Sequence, residues 1–129
     1  MILIDTSSWI HLLRPDGEPA VRTRVEAALR GGAACWCPLV ELELWNGARG
    51  GAEQRALRRF SAALPVLPMD DAVWVAARDL ARRARAGGVT VPATDIAIAA
   101  CAERHGAALE SADKDFDRLR GLPPATDAA

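Results

Sequence analysis

The sequence predicts an α/β domain with a mostly parallel sheet and helices on both of its faces. Two observations predict it. Short apolar runs alternate with longer segments of helical periodicity along the whole chain, and that alternation builds parallel sheets whose crossovers are helices. The chain has 129 residues, 50% of them hydrophobic and 26% charged, which suits one domain with its own core.

Residues 2–5, ILID, form a first strand, an apolar run that ends on an acid. TSSWIHLLRP follows, with hydroxyl residues suited to a helix cap and a stop at Pro15. Residues 18–32 carry Pro19 near the start and Gly31 and Gly32 at the end. Val21, Val25, Ala28 and Leu29 between them recur at helical spacing. AACWC, residues 33–37, reads as the second strand. Residues 38–51 open with a proline suited to a first helical turn and end in glycines, and residues 52–64 form a helix with a polar face. PVLPM, residues 65–69, reads as a short third strand. Residues 70–88 have two acids in the first turn, arginines in the last and glycines behind, the polarity a helix dipole favours. The most apolar helix runs from Pro92 to Gly106. AALES, residues 107–111, is the fourth strand, and DKDFDRL, residues 113–119, closes the domain with a helical turn. The expected division is a domain over residues 1–122 and a flexible tail over 123–129.

Formal net charge is −1, which does not advertise a nucleic-acid binder. The kind of basic residue says more. Lys114 is the only lysine, so fifteen of the sixteen basic residues are arginine, the side chain suited to planar contacts with phosphate. They cluster at Arg49, Arg55, Arg58 and Arg59, and at Arg78, Arg82, Arg83 and Arg85, although a solvated helix face explains the second cluster equally well. The three cysteines include no C-x-x-C pair. An odd count with no signal peptide points to reduced, buried thiols in a cytoplasmic protein. No apolar run approaches the roughly 20 residues that a membrane span requires.

Four acids sit in unexpected company. Asp5 ends an apolar strand, and Asp113 lies just past the carboxyl end of the fourth strand, where ligands of parallel sheets bind. Asp95 lies in the most apolar helix. Its place near the helix start, as a dipole partner or a cap, is explanation enough for Asp95 alone. Glu43 has no such explanation. It sits mid-helix among Leu39, Val40, Leu42, Leu44 and Trp45, and Glu41, about 200° away around the helix, is the member that faces solvent. A lone buried carboxylate costs several kcal/mol, and four converging carboxylates cannot all stay ionised without a counter-charge. A hard divalent cation supplies one. Mg²⁺ takes oxygen ligands and binds through a few carboxylates. No histidine or cysteine lies at zinc-like spacing. One or two such ions activate water and clamp a phosphodiester.

These segments resemble PIN-domain ribonucleases, most closely the VapC-type toxins of bacterial toxin–antitoxin pairs. ILIDTSSWI resembles the family's opening strand, with Asp5 as first acid and Thr6 as its hydroxyl. ELWNG resembles the E-L-x-x-G helix motif, which places the second acid at Glu43. VPATDIAIAACA resembles P-x-x-D-x-x-I-A, with Asp95 as the third. LESADKDFDRL resembles L-T-x-D-x-D-F, with Asp113 as the fourth and Asp115 as an auxiliary acid. Each motif alone is weak; four in family order across nearly the whole chain are not. The resemblance implies a PIN-like fold with four to five strands and an endoribonuclease dependent on Mg²⁺ or Mn²⁺ that cuts structured RNA such as tRNA or rRNA. It also implies a homodimer and an antitoxin partner that blocks the acidic site. Asp5, Glu43, Asp95 and Asp113, with Asp115, would hold the metal, and Thr6 and Ser111 would position it or the substrate.

The chain departs from the pattern at Ser111, where threonine is usual, and at Glu110, where an apolar residue is usual. The prolines of LPPATDAA leave little room for a fifth strand. Trp9, Trp45 and Trp74 are candidates for an antitoxin groove or dimer face, and equally for the core. His105 sits at a helix end, where it complements the dipole; His11 reads as a surface residue. One rival keeps the fold and drops the catalysis, leaving a silent RNA- or protein-binding module. A D-x-D-x-T phosphatase is the other, but Ser7 stands where its second aspartate belongs, and Lys114 beside Asp113 fits a receiver domain poorly.

Overall fold

The computed structural model describes residues 1–123. The expected tail beyond Pro123, with any fifth strand it contributes, lies outside the described residues. The sheet contains β1 (Ile2–Ile4), β2 (Ala34–Cys35) and β3 (Ala108–Glu110), all parallel in the order β2-β1-β3. Between β1 and β2 run α1 (Thr6–Leu13) and α2 (Pro19–Arg30). Between β2 and β3 run α3 (Pro38–Asn46), α4 (Gly50–Ala63), α5 (Asp71–Ala86) and α6 (Ala93–Arg104), and α7 (Asp115–Arg120) closes the chain. The first crossover moves outward from β1, and the second returns past β1 to its other side. Right-handed crossovers in opposite directions put their helices on opposite faces of the sheet.

The expected third strand is reduced to a single parallel bridge between Trp36 and Val66. Pro65 and Pro68 have no N–H to donate. Two backbone bonds remain, from Trp36 N to the Pro65 carbonyl at 3.3 Å and from Leu67 N to the Trp36 carbonyl at 2.8 Å. Among the described residues the sheet therefore has three strands and one bridge, where four to five strands were expected.

β1 is the central strand, and its Leu3 and Ile4 are fully buried, each contributing roughly 1.5–3 kcal/mol of transfer free energy. Trp9 and Trp36 meet edge to face at 5.8 Å, and Trp9 lies 4.9 Å from Phe60. Trp9 thus belongs to the core and not to a docking surface. Val73, Ala77, Leu80 and Ala84 bury one stripe of α5. In α6 most positions from Asp95 to Ala102 are buried, and the helix accordingly has no polar face. α3 is less enclosed than its sequence suggests, since Leu42 is 63% exposed. α6 stops at Gly106, whose φ of 65° only glycine adopts cheaply. That turn lets Ala107 N reach the Ala102 carbonyl at 2.9 Å and feeds the chain directly into β3.

Candidate metal centre

The parallel register explains why distant residues meet. Ile4 pairs with Glu110, and Asp5 N donates to the Glu110 carbonyl at 2.9 Å. The next residues of the two strands, Asp5 and Ser111, therefore leave the sheet side by side. This is the point between β1 and β3 where the chain reverses its direction of travel across the sheet, the crevice where parallel sheets bind ligands. The Ser111 hydroxyl donates to Asp5 Oδ2 at 3.0 Å. The same oxygen accepts from Ser7 N at 3.3 Å and from the Ser7 hydroxyl at 2.9 Å, which makes Asp5 the N-cap of α1. Burial pushes the Asp5 carboxyl above its ordinary value, and the bonds from Ser7 and Ser111 offset part of that rise.

Each serine hydroxyl also accepts a backbone amide. Ala112 N donates to Ser7 Oγ at 3.1 Å, and Asp113 N to Ser111 Oγ at 2.9 Å. Asp115 N donates to Asp113 Oδ1 at 2.9 Å. The loop after β3 is thus pinned to Asp5 through two hydroxyls. On the other flank, the Thr6 hydroxyl donates to Glu43 Oε1 at 2.9 Å and ties the start of α1 to α3. Glu41 points elsewhere, its Oε2 accepting from the Ser61 hydroxyl of α4 at 3.1 Å.

Asp95, Asp113 and Asp115 each offer a carboxylate oxygen, and these atoms all lie within 4.8 Å of one another. Ligands on opposite sides of one Mg²⁺ stand about 4.2 Å apart, from its bond lengths of about 2.1 Å. Asp95 is 9% exposed, and its Oδ2 is buried without a hydrogen-bond partner. Burial and then the charges of Asp113, Asp5, Asp115 and Glu43 push its carboxyl up to about 7. Burial, with the charge of Asp5 behind it, also raises Glu43. All five acids therefore act on one small volume, and the only ion pair a described cation makes with them is Arg118 to Asp115 at 3.6 Å. An orphaned buried carboxylate oxygen among all-oxygen donors fits a hard divalent cation. The three carboxylates form the tight core of the donor set, with Asp5 and Glu43 bordering it.

Sequence reasoning missed Ser7, which holds Asp5 through both its amide and its hydroxyl. The signal was present in two consecutive hydroxyls, Ser7 and Ser8, behind a capping acid. It also left Glu110 as an unexplained negative charge. Glu110 is neutralised by Arg24 at 2.6 Å and accepts from the fully buried Ser8 hydroxyl at 2.8 Å, so it braces β3 against α1 and α2. Neither histidine joins the acids. His11 Nδ1 accepts from Glu18 N at 3.0 Å, and His105 Nε2 donates to the Pro68 carbonyl at 2.8 Å. Asp95 does not cap its helix, because Pro92 occupies that position.

A family model of the PIN domain matches residues 2–122. The chain belongs to the PIN-domain family. Among its relatives, the VapC ribonuclease Mb1587 of Mycobacterium bovis is 38% identical over 120 residues, which cover 91% of this chain and 90% of that protein. Ribonuclease VapC21 of Mycobacterium tuberculosis is 33% identical over 107 residues, 81% of this chain and 78% of that one. In three dimensions the chain is similar to the DNA-bound VapBC structure from Salmonella typhimurium. The TM-score is 0.75 at 21% identity, and the match covers 94% of this chain and 93% of that one. That likeness supports the PIN fold read here despite the short strands. Among the described residues, no helix of this PIN domain is long and apolar enough to cross a membrane.

Proposed function

We propose that the protein is a metal-dependent endoribonuclease, the toxin of a type II toxin–antitoxin pair, which hydrolyses phosphodiester bonds in structured RNA such as tRNA or rRNA. The observation that carries this reading is the unpartnered buried oxygen of Asp95 facing Asp113 and Asp115, in a PIN-domain chain whose relatives are named ribonucleases.

Asp95, Asp113 and Asp115 would hold Mg²⁺ or Mn²⁺, with Asp5 and Glu43 as the remaining acids of the cleft. A bound ion would supply a water of lowered pKa and neutralise the phosphate under attack. The protein's own share is positional. Ser7 and Ser111 fix Asp5, Thr6 fixes Glu43, and the chain of bonds from Ser111 through Asp113 to Asp115 sets the loop that bears two of the acids. Three buried, free cysteines suit a reducing cytoplasm, where such a toxin and its RNA would meet.

The test is cleavage of tRNA and rRNA by the purified protein with Mg²⁺ or Mn²⁺ present and with chelator added, beside Asp5→Asn. The reading predicts metal-dependent cuts that the variant lacks. RNA retained without cleavage by both proteins would favour the catalytically silent binding module.

A further inference from the structure

The second face of α5 has no role in the fold or the acidic cleft. Val73, Ala77, Leu80 and Ala84 bury one stripe of this helix in the core, so its other face should be polar. Instead Trp74 is 47% and Val75 53% exposed, two of the largest apolar side chains left in solvent. They stand on a groove of about 460 Å³ between α5 and the start of α6, with a floor that includes Ala77, Ala81, Ile96 and Ala97. The groove carries one charge of each sign on α5, Asp71 and Arg78.

The spacing of these four α5 residues decides what fits. Asp71, Trp74, Val75 and Arg78 follow i, i+3, i+4, i+7, a single stripe along a helix. The stripe is also self-complementary. If a second copy of the helix is laid antiparallel with a twofold axis between Trp74 and Val75, Asp71 meets Arg78, Trp74 meets Val75, and each pairing occurs twice. That is the requirement of an isologous interface. The alanine-lined groove beside the stripe then receives the partner's Trp74 ring, a large anchor set in a hollow of small residues.

We propose that this face is a homodimer interface, with α5 packed antiparallel on α5 of a second copy and closed at both ends by Asp71–Arg78 pairs. Twofold matching of charge and size argues for a second copy over an unrelated partner. A foreign helix would have to reproduce both signs at the same spacing. The interface does not depend on whether the acidic cleft cuts RNA, and its test needs no activity.

The measurement is the monomer–dimer constant of the purified full-length protein by sedimentation equilibrium. Trp74→Ala removes the anchor, and we expect it to weaken the dimer about 30-fold or more, as loss of a buried aromatic hot spot does. Asp71→Arg places two like charges at each end, as does Arg78→Asp, and each single reversal should favour the monomer. The double variant Asp71→Arg, Arg78→Asp restores opposite signs and should recover the dimer, an outcome that general surface damage does not produce. Circular dichroism of each variant shows that the fold is retained. A wild type that stays monomeric at 100 µM or above would overturn the proposal. So would single reversals that leave the dimer intact, or a double variant no better than either single one.

Discussion

The strongest consequence of the acidic cleft is that it should destabilise the protein when no metal is bound, and do so with a definite pH dependence. Asp95 is the group to perturb. Its carboxyl is raised from 3.8 to about 7 by burial and by four neighbouring acids. Between those two values the folded protein holds a proton that the unfolded chain has lost. Stability therefore falls as pH rises through this window and levels off above it. From pH 6 to pH 8 the fall works out at about 1.4 kcal/mol, one pK unit's worth. For a domain of this size that is roughly 3–6 °C in Tm. Asp5 and Glu43 are shifted in the same direction and do not oppose the trend. Asp95→Asn keeps the shape and removes the charge. The assay is thermal unfolding in chelator at pH 6 and pH 8, followed by circular dichroism. The wild type should lose Tm between the two pH values, whereas Asp95→Asn should lose much less and melt higher than the wild type at pH 8. Added Mn²⁺ should stabilise the wild type most at the higher pH and leave the variant nearly unmoved. A wild-type Tm that is flat or rises from pH 6 to pH 8 would refute the reasoning, as would a variant with an undiminished slope.

Three further outcomes follow from single contacts. Glu110→Ala leaves the fully buried Ser8 hydroxyl without its acceptor and Arg24 without its ion pair, so chemical denaturation should show a loss of about 1–3 kcal/mol. Gly17→Ala would place a Cβ 1.8 Å from the His11 carbonyl oxygen; the turn joining α1 to α2 must open, and the urea midpoint should fall by the equivalent of about 1–3 kcal/mol. Ser7→Ala removes the hydroxyl that donates to Asp5 and accepts from Ala112 N. RNA cleavage should drop at least ~10-fold with far-ultraviolet circular dichroism unchanged, and full retained activity would show that the hydroxyl does not position the site.

Much of this architecture was legible in the residues because local chemistry and the final fold agree. Proline at helix starts, glycine behind helix ends and acids in the first turn of α5 mark boundaries that the structure keeps. The stretch over residues 65–69 was misread because its apolar pattern is that of a strand, while its two prolines forbid most of a ladder. The acids were noticed as misfits, each costly where the sequence puts it. How closely they group was not legible, since it depends on the β1–β3 register and on the loop bonds from Ser111 to Asp115. Glu110 was opaque for a similar reason. Its partner Arg24 is 86 residues away, and nothing local announces the pair. Trp9 and Trp74 look alike in sequence, yet one fills the core and the other stands in solvent, because only the helix phase against the sheet separates them.

Crystals soaked in Mn²⁺ and measured at the manganese absorption edge test the central claim most directly. The account predicts an anomalous peak within about 2.0–2.4 Å of carboxylate oxygens of Asp95, Asp113 and Asp115, lost in crystals of Asp95→Asn. A fully soaked crystal with no peak in that cleft, or with manganese bound only elsewhere on the molecule, would contradict it.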